Sequence, residues 1–258
     1  MPGFERYIGI DYSGAETADS SLRGLRVYVA ADQETPPREI GPPPSPRKYW
    51  TRRGVAEWLF ERLSEETQTL VGIDHGFSFP LQYFNRYDLP VNWNGFLEDF
   101  VSHWPTDKYK VDSVRDGTCG NGAARTGRPR WRRLAEVRAG AKSVFHFDVP
   151  GSVAKSTHAG LPWLRYLRSK DAGKIHFWPF DGWEIPSSRS VAAEVYPALW
   201  SRSFAREDRN SDQHDAYSIA AWMRQTDRCG NLRNFFNPDL TEEDRRTAEI
   251  EGWILGIP

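Results

Sequence analysis

Five acidic residues sit where a folded chain can use them for chemistry. Asp11 closes the apolar segment 7–12, and Asp74 closes the apolar segment 69–74. Glu194 lies inside a third such run, 191–196. Asp212 and Asp215 stand three apart at the start of a helix-like stretch, which puts their side chains on one face. Carboxylates at the ends of apolar strands lie against a desolvated core, and like charges held close together raise one another's pKa. A divalent cation relieves that repulsion, and hard oxygen donors of this kind suit Mg²⁺ or Mn²⁺. Two such ions about 3.5–4 Å apart can activate a water and stabilise the leaving oxygen in phosphodiester cleavage. The expected catalytic set is Asp11, Asp74 and Asp215, and the expected metal ligands are Asp11, Asp74, Glu194, Asp212 and Asp215. Each acid alone has a plainer reading, since an Asp that closes a strand is often a turn residue and Asp212 could cap its own helix.

The candidate substrate contacts lie in three places. Ser13 follows Asp11 closely and precedes Gly14. The one dense basic run, 125–133, offers Arg125, Arg128 and Arg130 to phosphates and Trp131 to a stacked base, which suits nucleic acid. The alternative is a solvated loop whose arginines pair with the chain's acids. Segment 150–157 has the look of a nucleotide-binding phosphate loop, but Val149 and Ala154 occupy the places of the required glycines. What remains is a helix start at which Ser152 and Lys155 meet a phosphate, or a Gly-Ser cap beside a solvated lysine. His75 and His214 adjoin the acids and read as surface or supporting groups, with proton transfer near neutral pH as the sharper alternative.

These residues need a scaffold. Segments 7–12 and 25–31 read as paired strands, with a third edge strand at 38–40. Segment 36–46 holds six prolines and cannot be continuous helix. Val55, Trp58, Leu59 and Leu63 recur at helical spacing over 52–66, and 69–74 follows as a buried strand. Helices are expected over 95–104, 152–169 and 212–224, the last with Ala216, Ile219, Ala220 and Met223 inward. Extended pieces are expected at 176–178 and 191–196, and Thr241 to Asp244 reads as the cap of a final helix reaching about 251. The order of elements implies an α/β protein with a mixed sheet flanked by helices. The aromatic-rich stretch at about 77–145 reads as an insertion into one domain spanning 1–258.

The order strand-Asp11, strand-Asp74, helix-Asp212/Asp215 resembles the RuvC-type branch of the ribonuclease-H-like nucleases. More closely, YIGIDYSG, VGIDHGFSFP, AEVYPALW and DQHDAYSIAAW resemble the predicted ribonuclease-H-fold nucleases grouped as domain of unknown function 429. The likeness covers about 6–31, 69–80 and 190–225 and leaves the insertion largely uncovered. It implies a ribonuclease-H-like core, a nuclease activity that depends on Mg²⁺ or Mn²⁺, two ions, and Glu194 as part of the family's EVYP motif.

The net charge of −1 gives no global attraction to nucleic acid, so any such attraction must come from a local patch. Two cysteines make neither a disulfide framework nor a zinc site. No apolar stretch suits a signal core or a bilayer span, which leads to the expectation of a cytoplasmic protein with no membrane partner. The functional expectation is metal-dependent phosphodiester hydrolysis of nucleic acid. One competing reading is a binding module that keeps the fold without catalysis. The other is an actin-like ATP-using phosphotransferase, disfavoured because only 63 positions separate the Asp11 and Asp74 turns.

Overall fold

Period-two alternation in apolar segments builds the centre of a sheet, described in a computed structural model over residues 3–31, 35–43 and 46–258. Residues 1 and 2, and residues 44 and 45 of the proline-rich segment, lie outside them. Strand β1 (Arg6–Asp11) pairs antiparallel with β2 (Arg26–Ala30), which pairs antiparallel with β3 (Arg38–Glu39). Helix α1 (Arg52–Ser64) then crosses to β4 (Thr69–Asp74), parallel to β1. The stretch that follows carries α2 (Leu81–Tyr87), α3 (Trp93–His103), α4 (Val111–Arg115), α5 (Leu134–Ala139) and α6 (Ala154–Lys170). Strands β5 (Ile175–Phe177) and β6 (Ser190–Val195) come next, then α7 (Ser211–Arg228), α8 (Leu232–Phe236), α9 (Glu242–Glu251) and β7 (Ile254–Leu255).

The result is an α/β architecture with a mixed seven-stranded sheet and nine α-helices among the described residues. The strand order is β3-β2-β1-β4-β6-β5, and β7 joins the free edge of β6 beyond β5. The sheet separates two apolar layers. Ile8, Ile10, Val71 and Ile73 face α1, α6 and the aromatic side chains of the 77–145 stretch, including Phe79, Phe96 and Phe100. Tyr7, Leu70, Ala193 and Val195 face α7, whose Ala216, Ile219, Ala220 and Met223 form the opposite wall as the sequence spacing predicts.

Helix α7 lies unusually close to β1 because Gly9 has no side chain. A Cβ there would stand 2.2 Å from the Ala216 carbonyl oxygen and 2.7 Å from the Ala220 nitrogen. Gly72 on β4 makes similar room for Ile219 and Val195. Strands and long helices appear where the hydrophobic period places them, within a few residues. Helices α2, α4, α5 and α8 do not emerge from the sequence, because each has seven residues or fewer and shows no full amphipathic period. Among the described residues no helix is long and apolar enough to cross a membrane.

Gly9→Ala forces β1 and α7 apart through backbone atoms that cannot rotate away. It is expected to cost about 1–3 kcal/mol, the usual range for overpacking a close contact. Urea denaturation measures this, and a variant as stable as the parent would show that the helix has room to spare.

Candidate active site

Parallel pairing of β1 and β4 sets Asp11 directly opposite Asp74 at the carboxyl ends of both strands. Residues in register on neighbouring strands project to the same face, here the face of Gly9 and Gly72, over which α7 lies. Crevices outside the carboxyl ends of parallel strands are where open α/β sheets bind ligands. Asp212 and Asp215 enter from the first turns of α7. The capping role falls to Asn210, whose side chain accepts from the Gln213 N–H at 2.9 Å while Gln213 Oε1 accepts from the Asn210 N–H at 3.1 Å. Asp212 is therefore free of the capping duty that the sequence leaves open to it. Its Oδ1 accepts from the Ser211 hydroxyl at 3.1 Å. A Cβ on Gly24 would lie 3.5 Å from both Asp212 Oδ2 and Ser13 Oγ, so that hydroxyl and that carboxylate flank the same spot.

The loop after β1 is held from within. Arg52 is fully buried at the start of α1 and donates to the carbonyl oxygens of Ser13, Ala15 and Glu16 at 3.0, 2.7 and 2.9 Å. Gly14 packs on the first turn of α6, where a Cβ would meet the Lys155 carbonyl oxygen at 2.3 Å. Neither anchor is visible in the sequence, because nothing in the spacing of Arg52 says that it reaches back to Ser13.

Three of these aspartates, Asp11, Asp74 and Asp215, are made harder to ionise by burial and by neighbouring carboxylates. Burial first, and then the charges of Asp74, Asp212 and Asp215, push the Asp11 carboxyl well above its ordinary range, with Arg26 opposing. Burial and the charges of Asp215 and Glu194 do the same to Asp74. Asp215 is raised by burial and by Asp212, against His214 and Arg206. Oδ1 of Asp74 is enclosed and has no hydrogen-bond partner. Among the described residues no lysine or arginine forms an ion pair with Asp11, Asp74, Asp212 or Asp215. Nor, among the described residues, does any group of three or more acids, histidines or cysteines already stand gathered around one point as a ligand set.

Glu194 departs from expectation. It registers with Ile73, so its side chain leaves the sheet on the face opposite Asp74. There Arg133 grips both of its oxygens at 2.5 and 2.7 Å, and the Phe77 N–H donates to Oε2 at 2.9 Å. Arg133 also donates to Glu136 at 3.1 Å and to the Glu251 carbonyl oxygen at 3.2 Å, all of it buried. A carboxylate already neutralised by a bidentate guanidinium has no charge to spare for a cation. Glu194 thus ties the 77–145 stretch to the sheet and is removed from the expected ligand set.

The basic run is split between internal pairs and solvent. Arg125 pairs with Asp99 at 3.1 Å and lies over the Tyr87 ring, while Arg133 is the buried clamp just described. Trp131 is half-buried with its ring edge-on to Phe145. Arg128 and Arg130 are exposed. None of Arg125, Arg128, Arg130 or Trp131 lines the open cleft of about 510 Å³ beside the aspartates. That cleft is lined by Asp11, Ser13 and Asp212 and by Ser152, Lys155 and Lys110, whereas Asp74 and Asp215 do not line it. Lys110 was not singled out by any sequence motif. His75 is buried against Tyr12 with burial lowering its pKa to about 4, and His214 is bonded through Nε2 to the Ser201 carbonyl oxygen at 3.0 Å. Neither ring faces the cleft.

In comparisons with known proteins, no family model, no curated protein and no solved structure matches the chain.

A carboxyl whose folded pKa is raised stabilises the fold fully below its unfolded value, about 3.9 for Asp. That contribution is lost as pH rises through the folded value. In chelator at neutral pH, Asp74→Asn should therefore melt several degrees above the parent, with the gap closing as the buffer is acidified. Thermal denaturation over pH 4–8 reads this directly, and a gap that is absent or widens on acidification would refute the assignment.

Proposed function

We propose that the protein is a metal-dependent nuclease on a ribonuclease-H-like core, hydrolysing phosphodiester bonds of nucleic acid. The supporting observation is that Asp11 stands opposite Asp74 at the ends of β1 and β4 and feels the charges of Asp74, Asp212 and Asp215, with no basic ion-pair partner for these four among the described residues. The fold reading draws support from the β1-β2-β3 antiparallel meander, the parallel β4 next to β1, and α7 packed over both. The short motifs around Asp11, Asp74, Glu194 and Asp215 add the resemblance already noted.

The donor set suits a hard cation. All four groups are carboxylates, and the enclosed Asp74 Oδ1 lacks any donor of its own. Asp11, Asp74 and Asp215 would hold Mg²⁺ or Mn²⁺, with Asp212 beside them. When bound, the ion supplies a more acidic water and positive charge for the departing oxyanion. The chain's own part is placement. Gly9 lets α7 bring Asp215 close, Asn210 leaves Asp212 unengaged by the helix end, and Arg52 fixes the loop carrying Ser13 at the mouth of the cleft.

Purified protein is expected to cut labelled DNA or RNA only with Mg²⁺ or Mn²⁺ present. Asp11→Asn should reduce the rate by more than the roughly 10–100-fold that loss of an outer partner costs a metal site. No cleavage of any strand type, or cleavage undiminished in Asp11→Asn, would end the nuclease assignment.

The non-catalytic reading has one observation in its favour, namely that the acids are not yet gathered as a ligand set. An ion that binds the folded state alone raises its melting temperature with concentration. A Mn²⁺ titration that lifts the parent but not Asp74→Asn supports the metal site. A flat titration leaves the binding module.

A further inference from the structure

The cleft beside the aspartates holds two lysines, and each is occupied by an acid from the same cleft. Lys110 Nζ lies 2.5 Å from Glu16, and Lys155 Nζ lies 2.7 Å from Asp112. All four side chains are open to solvent, with 50% and 56% exposure in the first pair and 45% and 60% in the second. Exposed pairs of this kind are weak, contributing between nothing and about 1 kcal/mol, so a stronger anion displaces the carboxylate at little cost. A phosphate group is such an anion. It offers more acceptor oxygens than either acid, and binding to lysine also releases counterions from a nucleic-acid strand.

The backbone shows that Glu16 is held where it is. Its φ is +50°, in the left-handed region that disfavours a residue with a side chain. The buried Arg52 fixes its carbonyl oxygen at 2.9 Å, and Gly14 seats the preceding turn on α6. Asp112 sits in the first turn of α4 and Lys155 in the first turn of α6, so their ion pair joins two elements that line the cleft. Asp11, Ser13 and Asp212 line the same cleft. The arrangement is therefore one cleft in which two acids of the proposed cation site, Asp11 and Asp212, share the lining with two lysines in exposed ion pairs.

We propose that Lys110 and Lys155 bind backbone phosphates of the substrate strand, and that Glu16 and Asp112 are resident carboxylates which those phosphates displace. This deepens the nuclease reading and rests on it for the identity of the strand. The acids keep the lysines in place when the cleft is free and set a threshold against weaker anions. Lys110 then joins Lys155 as a substrate contact, and the exposed Arg128 and Arg130 fall outside the path of the strand near the aspartates.

The test is binding of a fluorescently labelled single-stranded oligodeoxynucleotide in chelator, so that no cleavage is needed, measured by anisotropy over a range of salt. Lys110→Met and Lys155→Met should each weaken binding several-fold. Each should also lower the slope of log affinity against log salt by about 0.7, the value for one phosphate contact on a single strand. Glu16→Gln and Asp112→Asn should tighten binding by up to about fivefold, because the competing carboxylate is gone. Lysine variants that bind as the parent does, or acid variants that bind no better, would overturn the proposal, as would a parent protein that does not bind the strand. Loss of binding in the lysine variants together with metal-dependent cleavage undiminished in Asp11→Asn would sink the nuclease reading and leave the phosphate contacts standing.

Discussion

Gathering like charges at the edge of an apolar core is the constraint on which this structure turns. Asp11 and Asp74 sit opposite each other on adjacent parallel strands, and α7 adds Asp212 and Asp215. Burial and mutual repulsion both push Asp11 and Asp74 toward the protonated state. The fold offers no arginine or lysine ion pair to these four among the described residues, although it pairs many other acids. Such an arrangement costs stability unless something positive is bound there. The close approach of α7 over Gly9 and the cap at Asn210 set where the helix start carrying Asp212 and Asp215 lies, and the buried Arg52 holds the loop that follows Asp11.

Glu194 shows the opposite solution to the same problem, one residue out of step. On β6 it stands in register with Ile73, so it projects away from α7. On that face Arg133 neutralises it, and Glu136 and Glu251 complete a buried network with backbone N–H groups of Arg133, Val144, Leu81 and Leu134. Glu136 and Glu251 are themselves raised by burial, with Arg133 pulling the other way. A buried ion-pair network of this kind is costly to break from one side, since removing the arginine strands carboxylates without a partner. Its role is mechanical. It fastens the 77–145 stretch and the C-terminal α9 to the sheet, on the side of β4 away from the aspartates.

The sheet and the long helices were legible in the sequence because their apolar residues repeat at two or 3.6 positions over enough length. Strand β4 is a case in point, with six residues ending in Asp74 where the apolar run ends. The positions of Asp11, Asp74, Asp212 and Asp215 at strand ends and a helix start were legible for the same reason, since those are where a period stops. Glu194 misled because an acid within an apolar run signals only burial and carries no mark of which face it takes. That face depends on register with β4, a property of pairing and not of the segment. The basic run left two readings open, and Arg125 and Arg133 follow the one in which arginines pair with the chain's acids, with partners 26 and 61 positions distant that spacing alone cannot name. Lys110 was invisible because its place in the cleft comes from the folding of the irregular stretch ahead of α4.

The central claim is that the four aspartates of β1, β4 and α7 form a cation site. Crystals grown with Mn²⁺, measured at a wavelength where manganese scatters anomalously, test it most directly. The account predicts an anomalous peak bounded by carboxylate oxygens of Asp11, Asp74 and Asp215, with Asp212 alongside and Glu194 still held by Arg133. A map with no peak at these carboxylates at saturating Mn²⁺, or with an arginine or lysine side chain lying among them, would contradict it.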